Sequence, residues 1–211
     1  MSGLTLGIDT STVVCVGLAD GDRVLASEVV GDTRAHAEAL MPLVTRVLAR
    51  AGAEPAALTA IAVGVGPGPF TGLRVGVVAA TTMAEVLGLP VRGVCGLDVL
   101  AAQAVEGGFV GSGDFLVATD ARRGELYWAR YDRAGVRASG PSVGKPDTLP
   151  ALPTFGPGAG VALDAGVLAR LAWSLPDAGL NPLYLRRPDA EAPTAHKSTL
   201  PGPRLAMGGR R

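Results

Sequence analysis

The stretch between Ala60 and Leu87 constrains the fold most. Ala60 to Val65 is an apolar run that reads as a buried strand. A turn follows, Val65-Gly66-Pro67-Gly68-Pro69-Phe70-Thr71-Gly72-Leu73-Arg74, and then an apolar segment to Leu87 that reads as a helix from Gly72. Such a turn lets backbone approach a ligand or another chain closely, and it leaves N–H groups unpaired at the helix start. It is either an anion cradle or a corner. A Walker A loop needs a lysine beside its last glycine, and none lies near. The dinucleotide fingerprint has no internal prolines, and each proline removes an N–H donor. A phosphate role is therefore disfavoured, although Arg74 on the first helical turn can still meet an anion.

The chain has 211 residues, enough to bury a core in one domain or two small ones. Lys plus Arg and Asp plus Glu are both 19, so the overall charge singles out neither nucleic acid nor an anionic membrane as a direct partner. Cys15 and Cys95 lie inside apolar runs and read as small buried thiols, without metal or redox spacing. The first residues lack a charged stretch followed by an apolar one, and no apolar run appears long enough to cross a bilayer. These features predict a cytoplasmic protein without membrane contact.

In chain order, Leu4 to Ile8, Val13 to Leu18 and Arg23 to Val30 read as strands joined by an Asp9-headed bend and an Asp-Gly turn, a β-meander. His36 to Ala51 reads as a helix with Leu40, Leu43, Val44, Val47 and Leu48 on one face, stopped by Gly52. The helix from Gly72 to Leu87 is apolar nearly all round, which predicts either a central position or a covering partner. Pro90 to Val94 reads as a short strand and Leu97 to Val105 as a helix, before a glycine-rich boundary at Gly107 to Gly113. Phe115 to Thr119 and Glu125 to Tyr131 then repeat the opening pattern of strand, Asp-headed bend and strand, with Asp120 standing where Asp9 stood. That weak internal repeat predicts two related lobes across a cleft. The expected division is an N-terminal lobe, 1–106, a smaller C-terminal lobe, 107–187, and a disordered tail, 188–211. Phe155 to Gly160 is a second Gly/Pro turn, Leu163 to Leu175 a helix, and Asn181 to Arg186 a short extended closing motif.

Few constellations could carry chemistry. A Ser/His/Asp triad would have to use His36 or His196, the two histidines of the chain. His36 reads better as a capping or surface residue, and no pair of ligands has metal spacing. Asp9 and Asp120, with Gly66 and Gly68, could line a nucleotide cleft and hold Mg²⁺-ATP, which would make the chain a small phosphotransferase or ATPase. The plainer reading has both carboxylates capping turn N–H groups. A stand-alone tRNA-binding module is disfavoured by the neutral charge, although Arg186, Arg187, Lys197, Arg204, Arg210 and Arg211 could add contact near the C-terminus.

Five stretches, in order, resemble the TsaB (YeaZ) family of tRNA threonylcarbamoyladenosine biosynthesis proteins. They are Leu6 to Leu18, Arg34 to Pro42, Gly66 to Gly76, Asp120 to Tyr127 and Pro182 to Arg186. The block Gly66-Pro67-Gly68-Pro69-Phe70-Thr71-Gly72-Leu73-Arg74 is the specific one, with proline at position 69 where the family usually has serine. The resemblance implies an α/β, actin-like and ribonuclease-H-like fold of two lobes with mixed sheets. It also implies kinship with the catalytic subunit TsaD, which carries a metal-binding V-N-H-x-x-x-H motif. The matching stretch here is Val94 to Leu100, and Gly96 and Leu100 stand at the two histidine positions, so no metal ligand is expected there. The implied function is a non-catalytic scaffold that pairs with TsaD and recruits the ATPase TsaE, with ATP used by the complex and tRNA bound through it. The pair of helices would meet TsaD through Leu40, Leu43, Val44, Val47, Val75, Val78, Ala79 and Met83, and the same surface could form a homodimer in isolation.

Overall fold

The computed structural model describes residues 3–31 and 36–186. Its first sheet contains β1 (Leu4–Asp9), β2 (Val14–Asp20), β3 (Arg23–Val30), β4 (Leu58–Gly64) and β5 (Val91–Val94), in the order β3-β2-β1-β4-β5. β1 to β3 are an antiparallel meander, while β4 and β5 join in parallel. The helices are α1 (His36–Arg50), α2 (Phe70–Leu87), α3 (Gly96–Glu106) and α4 (Ala165–Leu171). The second sheet holds β6 (Phe115–Asp120), β7 (Leu126–Tyr131), β8 (Arg137–Gly144) and β9 (Thr154–Phe155), in the order β8-β7-β6-β9. β6 to β8 are antiparallel and β9 pairs in parallel, so the second sheet repeats the order of β3-β2-β1-β4. A meander extended by a parallel strand beside its first member, present twice, is the actin-like, ribonuclease-H-like arrangement.

Period-two alternation gives the first sheet two unlike faces. Leu6, Ile8, Val16, Leu18, Ile61 and Val63 point to one side and are fully buried. There they meet Leu40, Leu43, Val44 and Val47 of α1 and Val77, Ala80 and Ala84 of α2 in one core. The other face carries Gly7, Gly17, Ala60, Ala62 and Gly64, and α4 lies on it. Gly7 and Gly17 are cross-strand partners. A Cβ on Gly7 would stand 2.1 Å from the Ala165 carbonyl oxygen, and one on Gly17 would stand 2.0 Å from the Gly166 nitrogen. The glycine pair is thus a seat that lets helix backbone rest on sheet backbone. Asp164 caps α4, its Oδ1 accepting from the N–H groups of Gly166 and Val167. The cap on α4 belongs to a helix that comes after β9 in the chain and yet packs on β1 and β2.

α3 covers the inner face of the second sheet, where Leu97, Leu100 and Ala104 pack against Phe115, Val117, Ala129 and Tyr131. The outer strand β8 was not expected. Its segment, Arg137 to Gly144, has no fully buried residue, is rich in small residues, contains Pro141, and offers no alternation to read. The expected helix 163–175 contracts to Ala165–Leu171, with a turn completing it.

Gly17→Ala should lower stability by about 1–3 kcal/mol or more, because backbone rather than a yielding side chain occupies the space. Urea melts of the variant would measure this, and an unchanged midpoint would show that α4 does not sit on the glycine pair.

Candidate functional site at the meeting of the sequence motifs

Four of the motif stretches converge at the carboxyl end of β1 and the start of α2. Asp9 ends β1 and is fully buried. Its Oδ1 accepts from the Ser11 N–H at 2.8 Å and from the Ser11 hydroxyl at 2.6 Å. Its Oδ2 lies against Gly64, where a Cβ would come within 1.8 Å of it. The next residue, Thr10, inserts its hydroxyl into the first turn of α2. It donates to the Gly72 carbonyl at 2.7 Å and accepts from the Gly76 N–H at 3.0 Å. Those two groups are the ones a regular helix would join to each other. Gly76 is required for this approach, since a Cβ there would stand 2.3 Å from the Thr10 hydroxyl oxygen.

The Gly/Pro turn is a packed corner. Residues 65–68 are buried. The Val65 N–H donates to Val94, the Gly66 carbonyl accepts from Gly96, and the Val65 carbonyl accepts from Leu183. Gly68 rests against Ser11. Gly66, with φ 98°, holds the left-handed backbone that the corner needs. Beyond it, Phe70 stacks on Tyr184 with ring centroids 4.7 Å apart. The Arg74 guanidinium lies 4.0 Å over the Phe70 ring and donates from Nε to the Tyr184 hydroxyl at 3.0 Å. Two residues on, Arg186 donates to the Ala121 carbonyl at 3.0 Å and pairs with Glu125.

Asp120, the counterpart of Asp9, repeats the turn bond by accepting from the Arg122 N–H at 2.8 Å. Unlike Asp9, it is exposed, and it lines a cleft of about 330 Å³ between the sheets together with Ser11, Val13, Pro69, Arg122, Pro157 and Leu163. The expected pair of cleft carboxylates is therefore corrected. Asp120 reaches the cleft, but Asp9 turns back onto Ser11 and Gly64, with Gly66 and Gly68 buried behind the corner. Mg²⁺-nucleotide does not fit this arrangement. One carboxylate is sealed from the cleft, the cleft wall is mostly apolar, and Pro67 and Pro69 present no N–H donors.

The expected partner-facing stripe also needs correction. Leu40, Leu43, Val44 and Val47 are at most 3% exposed and belong to the chain's own core, because their face of α1 turns onto β2 and β3. Val75, Ala79 and Met83 on α2 are half-buried at the edge of that core. Val78 is 60% exposed and Val86 78%, with Met41 of α1 at 49%. At 18 residues α2 is, by length and composition, long and apolar enough to cross a membrane, contrary to the expectation from apolar runs. Its inner side is nevertheless fixed in the core through Leu73, Val77, Ala80 and Ala84. His196, the tail residues and the His36 side chain lie outside the described residues.

A family model described as TsaD, tRNA N6-adenosine threonylcarbamoyltransferase, matches residues 24–169. The solved structure of YeaZ from Pseudomonas aeruginosa superposes with a TM-score of 0.71 at 30% identity, covering 88% of this chain and 100% of that one. The chain belongs to the TsaB (YeaZ) family. TsaB of Escherichia coli, named a tRNA threonylcarbamoyladenosine biosynthesis protein, is 36% identical over 128 residues, which span 61% of this chain and 54% of that protein. An uncharacterized protein of Mycobacterium tuberculosis is 44% identical over 204 residues, covering 88% of this chain and 93% of its own.

In this TsaB-family chain, the stretch matched to TsaD's histidine motif forms the start of α3. Gly96 and Leu100 are buried there. Asp98, 2% exposed, accepts from the Tyr131 hydroxyl at 2.8 Å and meets Arg137 Nε at 3.2 Å, tying α3 to the second sheet. Burial raises the Asp98 carboxyl above its ordinary value of 3.8, against the Tyr131 bond and the Arg137 charge. Burial likewise pushes the neighbouring Cys95 thiol up to about 12. Sequence reasoning missed Asp98, which sits as an isolated acid in an apolar helix.

Thr10→Val should cost about 1–3 kcal/mol, since it keeps the volume and removes both bonds to α2; a thermal or urea midpoint equal to wild type would contradict this. For Asp98, the folded state holds its proton at higher pH than the unfolded chain. Its contribution to stability is complete below about 3.8 and is lost as pH rises through the raised folded value. The stability difference between wild type and Asp98→Asn should therefore shrink, or turn against wild type, as pH rises across that window. Urea melts at stepped pH test the sign.

Proposed function

We propose that this chain is a non-catalytic partner subunit of a TsaD–TsaB–TsaE assembly. Its family works in tRNA threonylcarbamoyladenosine biosynthesis, as its relatives' names state. In this reading the assembly uses ATP and transfers threonylcarbamoyl to the adenosine next to the anticodon of ANN-decoding tRNAs. The chain contributes a surface, without supplying a reacting group.

The observation that carries the reading is the outer side of α2. Val78 and Val86 stand exposed on a helix whose other side is core, flanked by half-buried Val75, Ala79 and Met83. A helix this apolar and this exposed has the character of an interface awaiting a second helix layer. Small residues along it, Ala79 and Thr82, permit close helix approach. The absence of a fit for Mg²⁺-nucleotide in the cleft supports a subunit that acts by docking. The same exposed face would support self-association when TsaD is lacking.

Val78→Asp should leave the fold within about 0.5 kcal/mol of wild type, because the side chain is exposed. It should weaken binding to a TsaD subunit by roughly 30-fold or more if Val78 is an interface anchor. Calorimetric titration and a tRNA modification assay reconstituted with and without this chain measure both consequences. Unchanged affinity in the variant would place the interface elsewhere, and modification that proceeds equally without the chain would refute the scaffold role.

A further inference from the structure

The turn from Asp120 to Glu125 holds an unusual backbone. Arg122, Arg123 and Gly124 have φ of 64°, 55° and 72°, so three successive residues are left-handed and two of them are not glycine. Left-handed arginines are strained and persist only where surrounding contacts over-determine them. Within the turn those contacts are Asp120 Oδ1 to the Arg122 N–H, the Ala121 N–H to Glu125 and the Glu125 N–H to Arg122. From outside the turn comes Arg186, which donates to the Ala121 carbonyl and pairs with Glu125. It therefore grips the turn on both sides of the left-handed residues.

Arg186 is one end of a strap. Three residues earlier, the Leu183 N–H bonds to the Val65 carbonyl beside the Gly/Pro corner. Tyr184 packs on Phe70 and accepts from Arg74, both on the first turns of α2. We propose that Leu183 to Arg186 couples the exposed surface of α2 to the Arg122–Arg123 turn, with Arg186 as the positioning residue at the turn and Tyr184 as the one at the helix. In the engaged state the turn is left-handed and presents Arg122 at the rim of the cleft. In the released state it relaxes and opens. Arg74 lies on the exposed side of α2, so whatever covers that side removes water from the Arg74–Tyr184 bond, strengthens it and favours the engaged state. What covers α2 is taken from the functional reading above. The coupling itself requires only this chain.

Limited trypsin digestion of the full-length chain, read by mass spectrometry at the bonds after Arg122 and Arg123, tests this without any partner. Arg186→Gln should raise the initial cleavage rate at those bonds by about tenfold or more, because a charge-assisted fork is lost. Arg186→Lys keeps the charge toward Glu125 and should give an intermediate rate. Tyr184→Phe keeps the ring on Phe70, loses the Arg74 bond and should raise cleavage at the distant turn about two- to tenfold. Cleavage after Arg46 and Arg50, exposed on α1, monitors general unfolding in the same digest. Wild-type rates at Arg122 and Arg123 in Arg186→Gln would overturn the proposal. So would an unaltered rate in Tyr184→Phe, or a rise shared equally by Arg46 and Arg50. Failure of Val78→Asp to alter partner binding would instead count against the functional reading and leave this digest to judge the strap.

Discussion

The hydroxyl of Thr10 determines where the parts of this molecule stand. By entering the helical ladder between Gly72 and Gly76, it welds the end of β1 to the start of α2. The Gly/Pro corner must then close tightly enough to bring α2 to that hydroxyl, which is why Gly68 meets Ser11 and why residues 65–68 lose contact with solvent. With α2 so fixed, Leu73, Val77, Ala80 and Ala84 face the sheet and Val78 and Val86 are left outside. The exposed apolar face follows from one buried hydrogen-bonded clamp and the 3.6-residue period of the helix.

The two Asp-headed bends show how one local motif can take two roles. Both carboxylates accept from the N–H two residues on, as the Asx turn requires. Asp9 is pressed between glycines and a serine hydroxyl and disappears from the surface. Asp120 stands at the rim of the cleft beside Arg122. Burial of one member leaves no pair of carboxylates to converge on a cation, so the lobes keep their related architecture with a differently built cleft.

Much of the fold was legible in the sequence, and the limits are physical. Strands β1, β2 and β4 and helices α1 to α3 announced themselves because long apolar runs with period two or 3.6 are buried on at least one side, while the half-buried β3 was marked by the Asp-Gly turn before it. β8 was invisible because a half-buried outer strand of small residues with Gly140 and Pro141 has no hydrophobic face to alternate. The stripe Leu40, Leu43, Val44 and Val47 was read correctly as apolar but given to a partner. Amphipathicity reports that a face is covered and is silent about whether the cover is the chain's own sheet. Asp9 was placed at the right bend, yet which way its side chain turns depends on Gly64, far along the chain and without any local signal. The strap was equally hidden, because Tyr184 and Arg186 gain meaning only through Phe70, Arg74, Ala121 and Glu125.

The glycine seat under α4 bears on the order in which the protein is made. The sheet formed by residues 4–94 has one side lined by small residues, and its cover, Ala165–Leu171, is translated after the whole of the second sheet. A nascent chain therefore emerges with that side open while residues 95–164 are made. Glycine and alanine there offer little apolar area to a wrong partner, whereas the side rich in Leu, Ile and Val is capped early by α1 and α2. The division of small and large side chains between the two sides matches the time each must wait for its cover.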